Sequence, residues 1–231
     1  MTPKALIFDV DGTLAETEEA HREAFNRAFT EAGLDWNWSV EDYGRLLKTT
    51  GGKERMRRHR DEIGADGPDD ETIAALHLRK TELYAGILAS GELVLRPGVA
   101  DLIAAAAAAG VRLAVATTTN LPNVEALCRA CWGRAASEVF EVIAAGDEVA
   151  AKKPAPDVFL LSLERLGLPA GDCIAFEDSL NGLRSARGAG LRVAVTPSAY
   201  TADETFAGAE WVLPDLLADH LPPPLKFDSH G

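Results

Sequence analysis

Cysteine and positive charge are both scarce in this sequence. Its three cysteines are an odd number, and a chain of 231 residues has room for a sizeable core, so disulfide staples are not needed and a reducing compartment is expected. The 23 Lys+Arg residues are outnumbered by 36 Asp+Glu residues, which gives a net charge of −13. Such a charge repels nucleic acid and anionic membranes. We therefore expect no nucleic-acid partner, and an anionic ligand would need a local positive patch.

Long hydrophobic runs are also missing. A bilayer span needs about 20 uninterrupted apolar residues. The most apolar stretch, Val99 to Thr117, is interrupted by Asp101, Gly110 and Arg112. The first residues lack the charged region, apolar region and small-residue cleavage site of a signal peptide. We therefore expect a cytoplasmic protein with no membrane association.

Short apolar runs alternate with helical patterns over most of the chain. Strands that are apolar on both faces and alternate with helices are typical of a parallel sheet covered by helices on each side. The predicted fold class is therefore α/β, with a doubly wound, mainly parallel Rossmann-like sheet. The predicted strands are Ala5 to Asp9, Val111 to Thr117, Val142 to Ala145, Cys173 to Phe176, Leu191 to Val195 and Trp211 to Leu213. The predicted helices between them are Val99 to Ala109, Pro122 to Cys131, Asp157 to Leu166 and Leu180 to Ala189.

One region breaks this alternation. From about residue 16 to 90 there is no strand-like run, only helical patterns joined by Gly-, Asp- and Pro-containing turns. We expect an α/β catalytic core of residues 1–15 and 91–231, with residues 16–90 inserted as a helical cap over the strand ends. The tail 222–231, which begins with three prolines, is expected to be loosely ordered. The predicted cap helices are Glu18 to Ala32, Glu41 to Leu47 and Asp70 to Leu88.

Two carboxylates follow the first predicted strand. Doubly wound sheets bind their ligands outside the carboxyl ends of the strands. Asp9 and Asp11, separated by one residue, leave the strand on the same side, and Gly12 allows a tight turn after them. Adjacent carboxylates repel unless a cation neutralises them, and their hard oxygens suit Mg²⁺. The pair therefore predicts a Mg²⁺ site.

Phosphate-binding and acidic groups follow three later strands. Hydroxyls at a strand end, beside free backbone N–H groups, can hold a phosphate. A lysine is a point charge suited to binding phosphate and to shielding carboxylates. Taken singly, each segment is also compatible with an ordinary turn, a solvated lysine or a helix cap. The residues are Thr117, Thr118, Thr119, Asn120, Lys153, Glu177 and Asp178.

These four motifs, in this order on successive strands, resemble the haloacid dehalogenase superfamily of phosphotransferases over nearly the whole chain. The resemblance implies that Asp9 is the nucleophile that takes up the phosphoryl group and that Asp11 is the general acid and base. It also implies that Thr117 and Lys153 hold phosphate oxygens. A carboxylate nucleophile divides one hard displacement into two easier steps through an aspartyl-phosphate. The implied Mg²⁺ ligands are Asp9, the Asp11 carbonyl and Asp178, with Glu177 behind them.

Two features narrow the choice within the superfamily. A dehalogenase expels halide, which needs neither a proton nor Mg²⁺, so the second carboxylate of Asp11 favours phosphoryl chemistry. The helical insertion resembles the cap of the phosphoglycolate phosphatase and β-phosphoglucomutase branch, where caps close over the site and select the substrate. That branch uses a His and a Lys where cap and core meet. Glu18, His21 and Lys80 are therefore candidate substrate-binding residues, with ordinary surface positions as the alternative.

The predicted cap contains a basic segment. Lys48 to Arg60 has six Lys+Arg residues and one Glu, so 6 − 1 gives +5 in a chain of −13. Free N–H groups at Gly51 and Gly52, followed by Lys53 and Arg55, could bind a second anionic group. A solvated basic helix is the alternative. Because the core already holds the reacting phosphate, a second phosphate would imply a bisphosphate substrate.

The complete pattern, including Thr-Gly-Gly-Lys-Glu-Arg in the cap, is similar to the CbbY-type phosphatases. That resemblance implies removal of the 1-phosphate from xylulose 1,5-bisphosphate, an inhibitor of Rubisco, and so a role in carbon fixation through the Calvin cycle. A β-phosphoglucomutase-like mutase, which His21 and Lys80 favour, and a phosphoglycolate-type phosphatase are the alternatives. A phosphosugar sensor without turnover is an alternative from another class. We expect a small-molecule sugar phosphate as the partner and a monomer.

Overall fold

The computed structural model, which describes residues 2–64, 67–90 and 93–227, contains a six-stranded sheet. Its strands are β1 Ala5–Phe8, β2 Arg112–Ala116, β3 Val142–Ala144, β4 Cys173–Glu177, β5 Arg192–Val195 and β6 Trp211–Val212. They lie in the order β3-β2-β1-β4-β5-β6, and each neighbouring pair is parallel. The predicted doubly wound, Rossmann-like α/β fold is therefore confirmed. The order reverses at β1, so the carboxyl ends of β1 and β4 flank the crevice in which such sheets bind ligands.

Helices surround this sheet. They are α1 Glu18–Glu31, α2 Val40–Leu46, α3 Gly52–Ile63, α4 Asp70–Ala89, α5 Val99–Ala108, α6 Leu121–Trp132, α7 Ala136–Val139, α8 Asp157–Leu166 and α9 Leu180–Gly188. Side chains alternate across a strand, so Leu6 and Phe8 of β1 join one apolar cluster and Ala5 and Ile7 join another. The first cluster includes residues of α5 and α6, and the second includes residues of α8 and α9. Both faces of the sheet are thus buried, as the continuous apolar strands predict.

The first four helices have an apolar cluster of their own. It is built from aromatic and aliphatic side chains of residues 25–76, and it is separate from the two clusters on the sheet. Within it, Phe29 packs edge-on against Trp36 and Trp38, with ring centroids 5.3 Å and 4.9 Å apart. The same helices also pack on the sheet, because α1 supplies Ala24 and α4 supplies Tyr84 and Leu88 to the cluster that includes α5 and α6. The expected core boundary at residue 91 falls on residues 91 and 92, which lie outside the described residues.

Apolar periodicity predicts the element bounds closely. Each predicted strand and helix is present, with every end within one residue of its predicted position. Helix α3 was not among the predicted helices. Only Arg55 and Met56 of its residues are buried, so it carries almost no apolar period. No described helix combines the length and the apolar character that a membrane crossing requires.

The tail departs from expectation in its described part. Residues 222–227 do not hang free: Pro223–Leu225 forms a short 3-10 helix, and Leu225 is fully buried in the cluster that includes α5 and α6. Phe227 packs against the same cluster. The three prolines predict a loose tail. Packing of Leu225 and Phe227 against the core stabilises this segment instead, because it removes apolar surface from water. Residues 228–231 of the predicted tail lie outside the described residues.

Leu225→Ala tests the packing of the tail. Loss of a fully buried leucine side chain leaves a cavity, so we expect the free energy of unfolding to fall by about 2–5 kcal/mol. Urea unfolding measures the change. Leu217→Ala is the control, because Leu217 is 43% exposed and its truncation should change stability by less than about 0.5 kcal/mol. Equal effects of the two substitutions would show that the tail is not part of the core.

Candidate active site

A cavity of about 340 Å³ lies at the carboxyl ends of the strands and is bordered by α1, α3 and α4. A larger groove of about 650 Å³ runs along α1, but it contains none of the predicted site residues. Chemistry rather than size therefore identifies the site. The predicted residues that line the smaller cavity are Asp9, Asp11, Glu18, His21, Gly51, Gly52, Arg55, Lys80, Thr118, Thr119, Asn120, Lys153, Glu177 and Asp178.

Three buried carboxylates meet at one end of the cavity. Asp9 follows β1, Glu177 ends β4 and Asp178 follows it, so neighbouring parallel strands deliver all three. One oxygen from each lies within 4.8 Å of the others. Burial raises the pKa of Glu177 to about 8, although Lys153 acts against it. Burial, with the charges of Asp9 and Glu177, raises the pKa of Asp178 well above its usual range.

Lys153 compensates two of these three carboxylates. Its Nζ lies 2.6 Å from Asp9 Oδ1 and 2.6 Å from Glu177 Oε1. Burial alone would lower the pKa of Lys153, but the two carboxylates outweigh it and raise the pKa. In the described part of the chain, no lysine or arginine lies within 4.0 Å of the Asp178 carboxylate. A buried carboxylate beside two others and without a cation is a fitting ligand for a divalent ion such as Mg²⁺.

The turn after β1 is packed tightly against this acidic cluster. Gly12 has a φ of +79°, and a Cβ at that position would overlap Asp178 Oδ2. On the other side, Thr201 Oγ1 donates a hydrogen bond of 2.7 Å to the Asp178 carbonyl. The loop after β5, which carries Thr201, therefore fixes the backbone of Asp178. Gly12 is required both for its backbone conformation and for the close approach.

Asp11 belongs to a buried chain of contacts. Its Oδ1 lies 2.9 Å from His21 Nε2 and accepts a hydrogen bond of 2.6 Å from Thr17 Oγ1. His21 Nδ1 lies 2.5 Å from Lys80 Nζ, and the imidazole stacks on Tyr84 at 4.0 Å. An ionised Asp11 can only accept, so His21 carries its proton on Nε2 and accepts from Lys80.

The pKa values in this chain follow from burial and neighbouring charge. Burial acts to raise the pKa of Asp11, but contacts with His21 and Thr17 outweigh it and lower the pKa to about 2. Burial, together with the Lys80 charge, lowers the pKa of His21 to about 4. Burial lowers the pKa of Lys80 to about 7. At neutral pH, Asp11 is therefore an anion beside a neutral imidazole.

The predicted phosphate-binding threonines lie at the end of β2. Thr118, Thr119 and Asn120 line the cavity, and the Asn120 side chain caps α6 by accepting from the Asn123 amide at 3.0 Å. Asn120 Nδ2 also donates to Thr81 Oγ1 of α4 at 3.1 Å. Thr117 is buried and does not line the cavity. Its hydroxyl accepts from the Thr119 amide at 3.2 Å, which leaves the Thr117 O–H free to donate.

The N-terminus of α3 forms the other end of the cavity. Arg55 is 9% exposed, and its Nη1 donates to the Tyr43 hydroxyl at 2.8 Å, while its guanidinium lies 4.9 Å from the Tyr43 ring centroid. Tyr43 in turn donates to Glu18 Oε2 at 2.8 Å. Burial raises the pKa of Glu18 to about 7, with Arg55 acting against it. Arg55 Nε is buried without a partner among the described residues.

Lys53 does not share this position. It was expected beside Arg55 in substrate binding, but it does not line the cavity, and its Nζ lies 3.5 Å from Asp147 Oδ1. Residues two apart on a helix point in different directions. The α3 helix, absent from the sequence prediction, is therefore the reason that Arg55 faces the cavity and Lys53 does not.

Several site residues had no signal in the sequence. Tyr43 lies in an ordinary amphipathic helix, yet its hydroxyl joins Glu18 to Arg55. His77 of α4 lines the cavity so closely that a Cβ at Gly52 would collide with its ring. Neither position belongs to a motif, and both become functional candidates only through contacts between distant segments.

The comparisons with known proteins agree with this geometry. A family model described as haloacid dehalogenase-like hydrolase matches residues 3–190. Protein CbbY of Rhodobacter capsulatus is 62% identical over 218 residues, which are 94% of this chain and 96% of that protein. The crystal structure of CbbY from Rhodobacter sphaeroides in complex with phosphate matches with a TM-score of 0.89 at 56% identity, over 93% of this chain and 95% of that one. A mutant of that protein in complex with xylulose-(1,5)bisphosphate gives the same values.

His77 should make the protein sensitive to acid. Burial and the nearby lysines lower its pKa to about 3 in the folded protein, against 6.5 ordinarily. The unfolded chain therefore binds a proton below pH 6.5 that the folded chain does not, and stability falls as the pH falls from 6.5 towards 3. We expect this group to contribute a loss of about 2 kcal/mol between about pH 6.5 and 5.

Urea unfolding of His77→Gln at several pH values measures that contribution. The variant should lose less stability on acidification than the wild type. His220→Gln is the control, because His220 is exposed and lies outside the cavity. Parallel pH profiles for the wild type and His77→Gln would contradict the expectation.

Proposed function

The chain belongs to the haloacid dehalogenase-like hydrolases, and we propose that it is a Mg²⁺-dependent phosphatase that removes the 1-phosphate of xylulose 1,5-bisphosphate. The observation that carries the proposal is Arg55, a buried guanidinium with no carboxylate within 4.0 Å among the described residues. A buried charge without an ionic partner is costly. A second substrate phosphate would supply that partner, while the first meets Asp9 and Lys153. The bisphosphate bound to the similar CbbY supports this substrate.

The first chemical step would be attack by Asp9. A carboxylate oxygen of Asp9 bonds to phosphorus as the bond from phosphorus to the sugar oxygen breaks, which gives an aspartyl-phosphate. Lys153, 2.6 Å from Asp9, holds the phosphate oxygens and offsets their charge. Asp11 would first take up a proton from solvent as the phosphate binds, and it then gives that proton to the leaving alkoxide. In the structure Asp11 is held ionised by His21 and Thr17, and the negative charge of an incoming phosphate acts in the opposite direction on its pKa.

The second step would use water. Asp11 takes a proton from a water molecule as the water oxygen attacks phosphorus. The bond from phosphorus to the Asp9 oxygen then breaks, which releases inorganic phosphate and restores the Asp9 carboxylate. Asp9, Asp178 and the Asp11 carbonyl would hold Mg²⁺, with Glu177 behind them, engaged by Lys153. When bound, Mg²⁺ would supply positive charge to offset the repulsion between the carboxylate and the phosphate.

A sugar-phosphate mutase would share the first step. There a second sugar hydroxyl, rather than water, would resolve the aspartyl-phosphate. The Asp11–His21–Lys80 contacts at 2.9 Å and 2.5 Å are the observation in its favour, because they join the general acid to α1 and α4. The alternatives therefore differ in their products and can be separated by assay.

Residues 16–90 would act as the cap. Polar contacts join them to the core at the cavity: Asn120 donates to Thr81 at 3.1 Å, and Thr50 donates to the Lys153 carbonyl. Such contacts can open to admit substrate and close to exclude water. We also propose that the enzyme acts as a monomer in the cytoplasm, and that it serves carbon fixation, which the resemblance to the CbbY-type phosphatases implies.

The test is phosphate release in the presence of Mg²⁺. Xylulose 1,5-bisphosphate should be cleaved in preference to glucose 1-phosphate and phosphoglycolate, and Asp9→Asn should be inactive. Asp11→Asn should still bind the bisphosphate but lose turnover, whereas a sensor would be indifferent to the change. Conversion of glucose 1-phosphate to an isomer without phosphate release would contradict hydrolysis, and equal cleavage of phosphoglycolate would contradict the bisphosphate.

Arg55 and Lys53 make a matched pair for the second phosphate. Loss of a charge-assisted hydrogen bond of about 1.5–3 kcal/mol corresponds to about a 10- to 150-fold change. We expect Arg55→Met to raise KM for the bisphosphate by that factor and to affect a monophosphate substrate far less. Lys53→Met, which alters a cation outside the cavity, should leave KM within about twofold. A larger rise in KM for Lys53→Met than for Arg55→Met would show that the second phosphate does not bind at Arg55.

A further inference from the structure

Arg96 lies outside the cavity, on the segment that leads from α4 back to the core. Its side chain is 11% exposed. Its backbone N–H donates to the Leu14 carbonyl at 2.8 Å, and Leu95 bridges to Ala15, so this returning segment lies against the turn that follows β1. The chain thus enters and leaves the helical region at one place, beside Asp11.

The Arg96 guanidinium joins that turn to the loop after β5. Nη1 donates to the Gly12 carbonyl and, at 2.7 Å, to the Thr196 carbonyl. Nη2 donates to the Pro197 carbonyl at 2.7 Å, and Nε lies 3.3 Å from Glu16 Oε1. The planar fork of an arginine can serve several acceptors in fixed directions, which a lysine cannot do. Three segments distant in sequence therefore meet on one side chain.

Both loops held by Arg96 touch the acidic end of the cavity. Gly12 lies in van der Waals contact range of Asp178, since a Cβ there would overlap its carboxylate. The loop after β5 holds the Asp178 backbone through Thr201 at 2.7 Å. Arg96 acts on the first loop through the Gly12 carbonyl and on the second through Thr196 and Pro197. Among the described residues, Arg96 is the side chain that donates hydrogen bonds to both loops.

The direction of the Asp11 carbonyl depends on the same turn. The Gly12 N–H donates to the Ala15 carbonyl at 2.9 Å. Because a trans peptide is planar, the Asp11 carbonyl points the opposite way, away from Ala15. The peptide between Asp11 and Gly12 is thus held at its N–H by Ala15, and Arg96 holds the next peptide through the Gly12 carbonyl.

We propose that Arg96 is a positioning residue, which sets the Asp11–Gly12 turn against Asp178 and so shapes the divalent-cation site without touching it. The inference rests on the proposed function for its metal and its reaction. Groups that orient the ligands of a metal ion typically affect metal affinity or activity by about 10- to 100-fold when they are altered. Arg96 would act in that way through backbone carbonyls.

The test compares Arg96 with an arginine of the same local chemistry. Arg96→Met removes the guanidinium, and Arg96→Lys keeps the charge without the fork. Arg112→Met is the control, because Arg112 also joins a backbone carbonyl, Leu166 at 2.7 Å, to a glutamate, Glu141, but at the amino end of β2. The readouts are Mn²⁺ binding, followed by the electron paramagnetic resonance of free Mn²⁺, and kcat and KM for phosphate release.

We expect Arg96→Met to weaken Mn²⁺ binding and to lower kcat by about 10- to 100-fold each, with a much smaller change in KM. The Mn²⁺ affinity and kcat of Arg96→Lys should lie between those of Arg96→Met and the wild type. Arg112→Met should have the wild-type Mn²⁺ affinity and kcat, whatever its Tm. A folded Arg96→Met protein with wild-type Mn²⁺ affinity and kcat would overturn the proposal. If that variant does not fold, Arg96→Lys decides by the same readouts, with wild-type values again overturning the proposal.

Failure of the proposed function would look different. The wild-type protein would then release no phosphate from any of the sugar phosphates. Mn²⁺ binding would still distinguish Arg96 from Arg112, because it needs no turnover. Wild-type protein that releases phosphate, together with Arg96 variants that behave like it, would reject the positioning role alone.

Discussion

The buried ammonium of Lys153 is the contact on which the acidic end of the cavity depends. It lies 2.6 Å from both Asp9 and Glu177. Removing one partner of a buried ion pair costs about 3–5 kcal/mol, because the other charge is left uncompensated. Asp178 adds a third buried carboxylate, and the repulsion among the three lowers the stability of the folded protein. Apolar burial on both faces of the sheet offsets it.

The core and the chemistry share the same strands. In the parallel register of β1 and β4, Phe8 lies opposite Phe176, and their rings stack with centroids 4.5 Å apart. The next residues, Asp9 and Glu177, therefore emerge side by side and meet Lys153. A shift of one residue would reverse the faces of every side chain in the strand. The aromatic pair that stabilises the sheet thus also sets the spacing of the carboxylates.

Sequence reasoning succeeded where the information is local. The strands, the sheet class and the positions of Asp9, Lys153 and Asp178 follow from apolar periodicity and from the rule that ligands bind at carboxyl ends. It failed where contacts between distant segments decide. The basic segment did not show that α3 would turn Arg55 inward and Lys53 outward, and three prolines did not show that Leu225 would be buried. Arg96 gave no signal in the sequence, because three of its acceptors are backbone carbonyls, which any residue could supply.

The sheet has short strands at both of its edges. β3 has three residues and β6 has two. An edge strand exposes unpaired backbone groups that another chain can use as a template, and a short edge offers few of them. A foreign strand that pairs with either edge of this sheet therefore finds few free backbone groups, so the risk of aggregation along the sheet is small.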